Sequence, residues 1–359
     1  MGVKPVILGL GGPALGQDER AFFRAAEPAG YILFDRNIRS ADQLRALTDS
    51  LRALAGRADL PILIDQEGGR VARLRPPLAP AFPPAARFGE AWARAPSTAL
   101  AAARANAEAI GRTLRALGIS VACLPVLDVP VPGAHDVIGD RAFSRDPNAV
   151  ASLGRAALDG LQRAGVVGVV KHVPGHGRAR ADSHVALPVV EAADAELETD
   201  LLPFRRLADA PIAMTAHILY PAWDPALCAT FSARIIAEVI RGRIGFDGLL
   251  VSDDLGMQAL AAQPGAGAMG ERAAWAIAAG CDLVLHCSGN LAEMEEVAGA
   301  VPELAPAGRD RLARAMAWAQ QAPRVPHEGG PDDVATLLAR RDALLEAALG
   351  PTAAADGVA

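Results

Sequence analysis

The stretch VVGVVKHVPGHGRARADSH (166–184) decides how the chain folds. It opens as an apolar, β-branched run that ends abruptly in Lys171 and His172. Pro174, Gly175 and Gly177 then bar a helix, and a helical pattern resumes only over 192–207. A short, near-continuous apolar run reads as a strand covered on both faces, which is how strands of a parallel sheet look. Strand, loop and helix make one βα unit.

The same unit recurs along the chain. Apolar runs at 6–9, 31–34, 61–65 and 121–126 precede helices starting near Asp18 and spanning 40–54, 97–117 and 147–163. Runs at 212–215, 248–252 and 282–286 precede helices over 232–241, 270–279 and 290–300. Ser40 is a good N-cap, and Asp146–Pro147 opens its helix with proline in the first turn. Eight units in roughly 300 residues predict a closed α/β (β/α)8 TIM barrel in preference to an open sheet. Two more helices, 308–320 and 332–348, are expected outside it, with a Pro/Gly-rich link at 322–331. The expected division is a catalytic domain over 1–321 and a helical extension over 322–359, ending in a disordered tail from Pro351. Abundant alanine and arginine read as compositional bias.

Bulk chemistry narrows the function. Of 359 residues, 51% are hydrophobic and 21% charged, with a net charge of −6, so no basic field exists to attract nucleic acid. Cys123, Cys228, Cys281 and Cys287 lack CxxC spacing and read as structural thiols. The N-terminus, MGVKPVILGLGG, is too short for a signal core, and no run reaches the ~18 apolar residues of a membrane span. A soluble, cytoplasmic monomer is expected.

In a parallel barrel the chemistry sits where strands end, because the βα loops converge there. Asp65 ends the third strand, Asp128 the fourth, Lys171 and His172 the fifth, His217 the sixth, and Asp253 and Asp254 the seventh. Charged groups interrupting apolar strands at one consistent end are costly unless they are used or paired. In the loop 171–184, the Asp182-Ser183-His184 spacing lets the carboxylate hold one imidazole nitrogen and leaves the other free to move a proton. No GxSxG elbow occurs. A rim carboxylate opposite an Asp–His pair suits double-displacement glycoside hydrolysis.

Eight segments carry a resemblance: ILFDRN (32–37), IDQEGGRVARL (64–74), LPVLDV (124–129), VIGDRAFSRDP (137–147), KHVPGHG (171–177), DSH (182–184), TAHILYPAWDP (215–225) and GFDGLLVSDDLGM (245–257). In this order they resemble glycoside hydrolase family 3, specifically its single-domain β-N-acetylhexosaminidases. The resemblance implies that Asp253 is the nucleophile and that His184 is the acid/base, oriented by Asp182. It also implies that Asp65, Arg73, Arg141, Lys171 and His172 hold a terminal N-acetylglucosamine, as in a muropeptide of peptidoglycan recycling. No cofactor and no metal are implied. Asp254 is then supporting and His176 structural. Arg141 offers a planar fork to a hydroxyl pair or carbonyl of the sugar. The family's two-domain β-glucosidases draw their acid from a second domain, whereas here DSH supplies it. The segments DPALCATFS (224–232) and QALAAQPGAGAMG (258–270) depart from the pattern; they are expected at the rim, clear of the catalytic residues.

Three rivals compete. A metal-dependent amidohydrolase-type barrel would use Lys171, His217 and Asp253, but the first strand ends ILGLGG, without an HxH pair. A dinucleotide enzyme is suggested by GLGGPALG (9–16), yet Asp18 and Glu19 follow too soon for a ribose contact. A catalytically dead sugar-binding protein conflicts with a fully occupied set of catalytic positions. Within the family, a β-glucosidase or phosphorylase variant remains the alternative, since an imidazole acid presents no negative charge to an incoming phosphate.

Overall fold

The eight apolar runs form eight parallel strands: β1 (Lys4–Gly9), β2 (Pro28–Leu33), β3 (Ile62–Ile64), β4 (Val121–Ala122), β5 (Val167–Val173), β6 (Ile212–Thr215), β7 (Leu249–Asp254) and β8 (Leu283–His286). β1 pairs with both β2 and β8, which closes the sheet into a barrel. The computed structural model describes residues 2–263, 266–321 and 333–351. The link at 322–331 and the tail beyond Pro351 lie outside the described residues.

Period two along each strand decides what faces the barrel interior. Leu63, Val167, Val169, Met214, Leu249, Val251 and Leu285 pack together inside. Their neighbours Ile62, Ile64, Val166, Val170 and Leu250 pack outward against the helices. Two residues beyond the last inward aliphatics stand Asp65, Lys171 and Asp253, so alternation alone turns all three into the barrel mouth.

Helices α1 (Gln17–Ala26), α2 (Ala41–Ala55), α3 (Ala85–Trp92), α4 (Pro96–Ala116), α5 (Pro147–Ala164) and α6 (Asp194–Arg206) follow the early strands. The sixth unit ends in a π-wound helix, Ile235–Arg243, later and more loosely coiled than the expected 232–241. α7 (Gln258–Ala261) and α8 (Met269–Ala279) follow β7, and α9 (Leu291–Ala300) follows β8. α3 was not expected; it lies in the long segment after β3, together with a hairpin of Gln66–Gly68 and Val71–Ala72.

Two expectations need correction. α10 (Pro306–Trp318) does not merely pack outside the barrel. Its Ala315 and Met316, with Ala319 beyond its end, join the interior cluster and plug the N-terminal end. The preceding segment is drawn to that end because Leu304 N–H donates to the Val3 carbonyl. Arg311 adds ion pairs to Asp247 and Asp282 at the starts of β7 and β8. α11 (Val334–Leu349) does lie outside, with its buried Arg341 donating to Asn106 Oδ1 of α4.

The alanine excess also has a structural use. α4 and α5 bury alanines along most of their length and approach each other where Gly160 faces Ala107 and where Gly111 faces Ala164. A Cβ on Gly160 would lie 2.4 Å from the Arg104 carbonyl oxygen, so the two backbones touch only because nothing intervenes. Gly160→Ala is therefore expected to destabilise the fold by about 1–3 kcal/mol, the scale of overpacking a filled core. Urea denaturation would show this as a lower midpoint, with kcat unchanged in the folded fraction because the contact is remote from the barrel mouth.

Candidate active site

The barrel mouth holds a cavity of about 320 Å³. Phe34, Asp65, Glu67, Arg73, Arg141, Lys171, His172, His184, Asp253 and Asp254 all line it. Of the residues the resemblance assigns to catalysis or sugar binding, all except Asp182 line the cavity, and Asp182 reaches it through His184; the strand-end candidates Asp128 and His217 lie buried behind it.

Lys171 is the centre of the charged floor. Only 2% exposed, its ammonium lies 3.0 Å from Asp65 Oδ1 and 2.6 Å from Glu67 Oε1. Burial alone would strip its charge, but the two carboxylates outweigh burial and hold Lys171 protonated above its ordinary range. In return, burial pushes the Asp65 and Glu67 carboxyls up, and the cations push them further down. Asp65 sits below its ordinary value through Lys171 and Arg73, and Glu67 falls to about 2 through Lys171 and Arg141. Arg73 Nη2 donates to Asp65 Oδ2 at 3.2 Å.

Glu67 is the residue the sequence reading overlooked. Arg141 Nε and Nη2 donate to its two oxygens at 2.8 and 2.9 Å, a bidentate pair. The expected guanidinium fork onto the sugar is thus already occupied; Arg141 lines the cavity while clamped to Glu67. The signal was present in IDQEGGR, because Asp65 and Glu67 stand two apart in extended chain and share a face. The two glycines that follow make the turn. Gly68 and Gly69 have φ of +102° and +56°, a conformation most side chains avoid, and the hairpin they close returns Arg73 to Asp65.

The two ends of the site strands are irregular in register, and both irregularities have consequences. Between β5 and β6 the pairing shifts between Lys171 and Val173. A bulge re-aims side chains, and here it lets both Lys171 and His172 reach the cavity. Between β7 and β8 the pairing shifts again, with Leu283 opposite Val251 and Leu285 opposite Asp254. Asp254 Oδ1 accepts the Gly256 and Cys287 amides, each at 3.0 Å, so its carboxylate ties the strand ends together. Asp253 accepts only the amide of Asp254, at 2.8 Å, among the described residues. Burial would raise its carboxyl; His217, His172, the Asp254 amide and Lys171 together hold it below the ordinary value.

Histidines frame this carboxylate. His217 is fully buried, with Nε2 donating to the Asp254 carbonyl and Nδ1 against the Thr230 hydroxyl. That pattern is satisfied by a neutral ring, and burial lowers its pKa accordingly. His172 Nδ1 lies 2.8 Å from Asp128 Oδ2, and Asp128 Oδ1 accepts the His172 and His176 amides. On the opposite wall, His184 Nδ1 lies 2.7 Å from Asp182 Oδ1. Burial would raise the Asp182 carboxyl, but the His184 amide and ring hold it ionised below the ordinary range. The His184 Nε2 is therefore the nitrogen left for chemistry.

This arrangement disfavours the metal-cluster rival. Lys171 is a paired ammonium, not a ligand, and His217 Nε2 carries the proton it gives to a carbonyl. The divergent segments are also not idle. Thr230 of DPALCATFS holds His217, and the Ala259 amide from 258–270 donates to the Ser183 carbonyl, so both touch the catalytic frame. Positions 264 and 265 lie outside the described residues.

Replacing Glu67 by Gln leaves Arg141 unpaired and Lys171 with one carboxylate. Breaking a buried pair this way is expected to cost about 3–5 kcal/mol. The sign of the pH effect follows from the lowered carboxyl. Glu67 stabilises the fold above its ordinary value of 4.5, and that contribution is lost as pH falls towards about 2. Urea midpoints measured across that window should fall more gently for Glu67→Gln than for the parent chain.

Comparison with known proteins agrees with this geometry. Residues 10–316 match the glycosyl hydrolase family 3 N-terminal domain. A β-hexosaminidase of Alkalilimnicola ehrlichii is 44% identical over 287 residues, covering 79% of this chain and 80% of that protein. One from Chromobacterium violaceum is 42% identical over 315 residues, covering 87% and 85%. The crystal structure of NagZ from Neisseria gonorrhoeae in complex with N-trifluoroacetyl-D-glucosamine superposes with a TM-score of 0.82 at 31% identity, covering 97% of this chain and 99% of that one. With the barrel, the charged mouth and these matches together, the chain belongs to glycoside hydrolase family 3.

Proposed function

We propose that the chain is a retaining β-N-acetylhexosaminidase that removes terminal, non-reducing β-linked N-acetylglucosamine. The observation that carries this reading is one cavity lined by both a carboxylate that makes no ion pair among the described residues, Asp253, and an imidazole backed by its own carboxylate, His184. In the first step Asp253 attacks C1, the C1–O bond to the aglycone breaks, and His184 gives its proton to the departing oxygen. In the second, His184 takes a proton from water, the water oxygen bonds to C1, and Asp253 leaves as carboxylate. Asp182 holds Nδ1 of the imidazole and so keeps the ring oriented with Nε2 free.

Asp253 is preferred over Asp254 on parity and on partners. It follows the inward residues Leu249 and Val251, whereas Asp254 spends one oxygen on two backbone amides. Asp65, Arg73, Lys171 and His172 hold the sugar, while Arg141, its guanidinium committed to Glu67 and the Val137 carbonyl, walls the pocket and fixes Glu67 against Lys171. A cavity of about 320 Å³ suits one terminal sugar better than a threaded chain. The likeness to a NagZ solved in complex with N-trifluoroacetyl-D-glucosamine supports an N-acylated glucosamine as the terminal sugar. The substrate we infer is a muropeptide fragment of peptidoglycan recycling, cleaved in the cytoplasm. The catalytic unit is 1–321, and 322–359 extends it.

A panel of aryl β-glycosides tests the substrate. N-acetylglucosaminides should be cleaved at least about 10²-fold faster than glucosides or xylosides, as a site built to hydrogen-bond an amide discriminates against analogues lacking it. Equal rates on all three would overturn the assignment. His184→Ala tests the mechanism. It should slow poor leaving groups by about 10²–10⁴-fold while sparing activated aryl glycosides; equal loss on both classes would contradict an acid role.

A further inference from the structure

Ser183 is an anomaly in its own loop. Its neighbours are open to solvent, with the His184 side chain 64% exposed and Val185 74% exposed, yet Ser183 is only 3% exposed. The loop is tied to the protein at its two ends. Ala179 N–H donates to His176 O and its own carbonyl accepts from His135, while at the far end Leu219 N–H donates to Pro188 O and Val190 N–H to Leu219 O. Between those ties, among the described residues, every hydrogen bond from 180–187 to the rest of the protein is made by Ser183. Its hydroxyl lies 3.1 Å from His176 Nε2, and its carbonyl accepts the Ala259 amide at 3.2 Å.

His176 is itself held. It is 3% exposed, its amide donates to Asp128 Oδ1 at 2.6 Å, and its ring stands edge-on to His172 with centroids 5.7 Å apart. Among the described residues its buried Nδ1 has no partner, so the ring makes one side-chain hydrogen bond there, the one to Ser183. Asp128 meanwhile binds His172 through both the amide and Nδ1. A fully buried carboxylate in the loop after β4 thus fixes a residue that lines the sugar cavity and, through His176 and Ser183, the loop that carries His184.

We propose that Ser183 is a positioning residue, which through His176 and the Ala259 amide sets the height and angle of His184 above Asp253. The proposal deepens the acid/base reading given above and rests on it. The physical ground is that proton transfer needs the imidazole within hydrogen-bond reach of the glycosidic oxygen. An exposed side chain on a loop pinned only at its ends would sample many other placements, and each lowers the fraction of complexes ready to react. Asp182 orients the ring about its own axis; Ser183 fixes where the ring stands. The two tasks are carried by adjacent residues because a turn at Asp182, whose carbonyl accepts the Val185 and Ala186 amides, faces them in different directions.

The test compares Ser183→Ala, His176→Leu, their double variant and His184→Ala, each on an activated aryl N-acetylglucosaminide and on one with a poor leaving group. Fluorinated-sugar labelling and thermal melting confirm that each variant is folded with a competent nucleophile. Ser183→Ala should lose about 10–10²-fold in kcat on the poor leaving group, with less than about threefold loss on the activated one and little change in KM. A plot of rate against leaving-group pKa should steepen, which a merely structural defect would not produce. His176→Leu should give the same signature, and the double variant should lose no more than either single one, since both break one link. Ser183→Thr, which keeps the hydroxyl, should restore the parent slope. If His184→Ala shows the leaving-group dependence but Ser183→Ala does not, the positioning role is overturned and the acid/base assignment stands. If His184→Ala itself lacks that dependence, both fall together.

Discussion

A lysine ammonium buried at the end of an apolar strand is the constraint on which the site depends. Lys171 stays charged because Asp65 and Glu67 face it, and those carboxylates stay ionised because Lys171 first, then Arg73 and Arg141, balance them. Among the described residues three cations, Arg73, Arg141 and Lys171, and four carboxylates, Asp65, Glu67, Asp253 and Asp254, line one cavity. Within the paired set of Lys171, Asp65, Glu67, Arg73 and Arg141, no member can be removed without leaving a charge stranded in a low-dielectric setting. The cluster is therefore rigid as well as polar, which suits a pocket that must present a fixed set of donors and acceptors to sugar hydroxyls.

The barrel supplies this rigidity through simple alternation. Inward aliphatics fill the lower barrel, α10 plugs its base, and the next inward position on β5 and β7, and just past the end of β3, is charged. The two register irregularities then separate roles that alternation alone would confuse. At the end of β5 the irregularity brings His172 to the same side as Lys171. At the end of β7 the extra residue turns Asp254 to the backbone of β8 and leaves Asp253 over the cavity.

Much of this was legible in the sequence, for physical reasons. Period-two apolar runs mark strands whatever surrounds them, so all eight strands and the rim positions of Asp65, Lys171 and Asp253 followed directly. What escaped depended on contacts between segments far apart in the chain. Glu67 meets Arg141 across 74 residues, and nothing local to EGG announces that pairing. Ser183 reads as a spacer between Asp182 and His184 until His176 is found beside it. α10 reads as one more amphipathic helix until Leu304 is seen tied to Val3 at the base of the barrel. The alanines of α4 and α5 look like bias until Gly160 shows how closely the two backbones approach.

The account turns on which carboxylate forms the covalent bond to the sugar. Incubation with a fluorinated N-acetylglucosamine analogue carrying an activated leaving group, followed by peptide mass spectrometry, reads this directly. A single glycosyl adduct on Asp253 is expected. An adduct on Asp254, or turnover with inversion and no adduct, would contradict it.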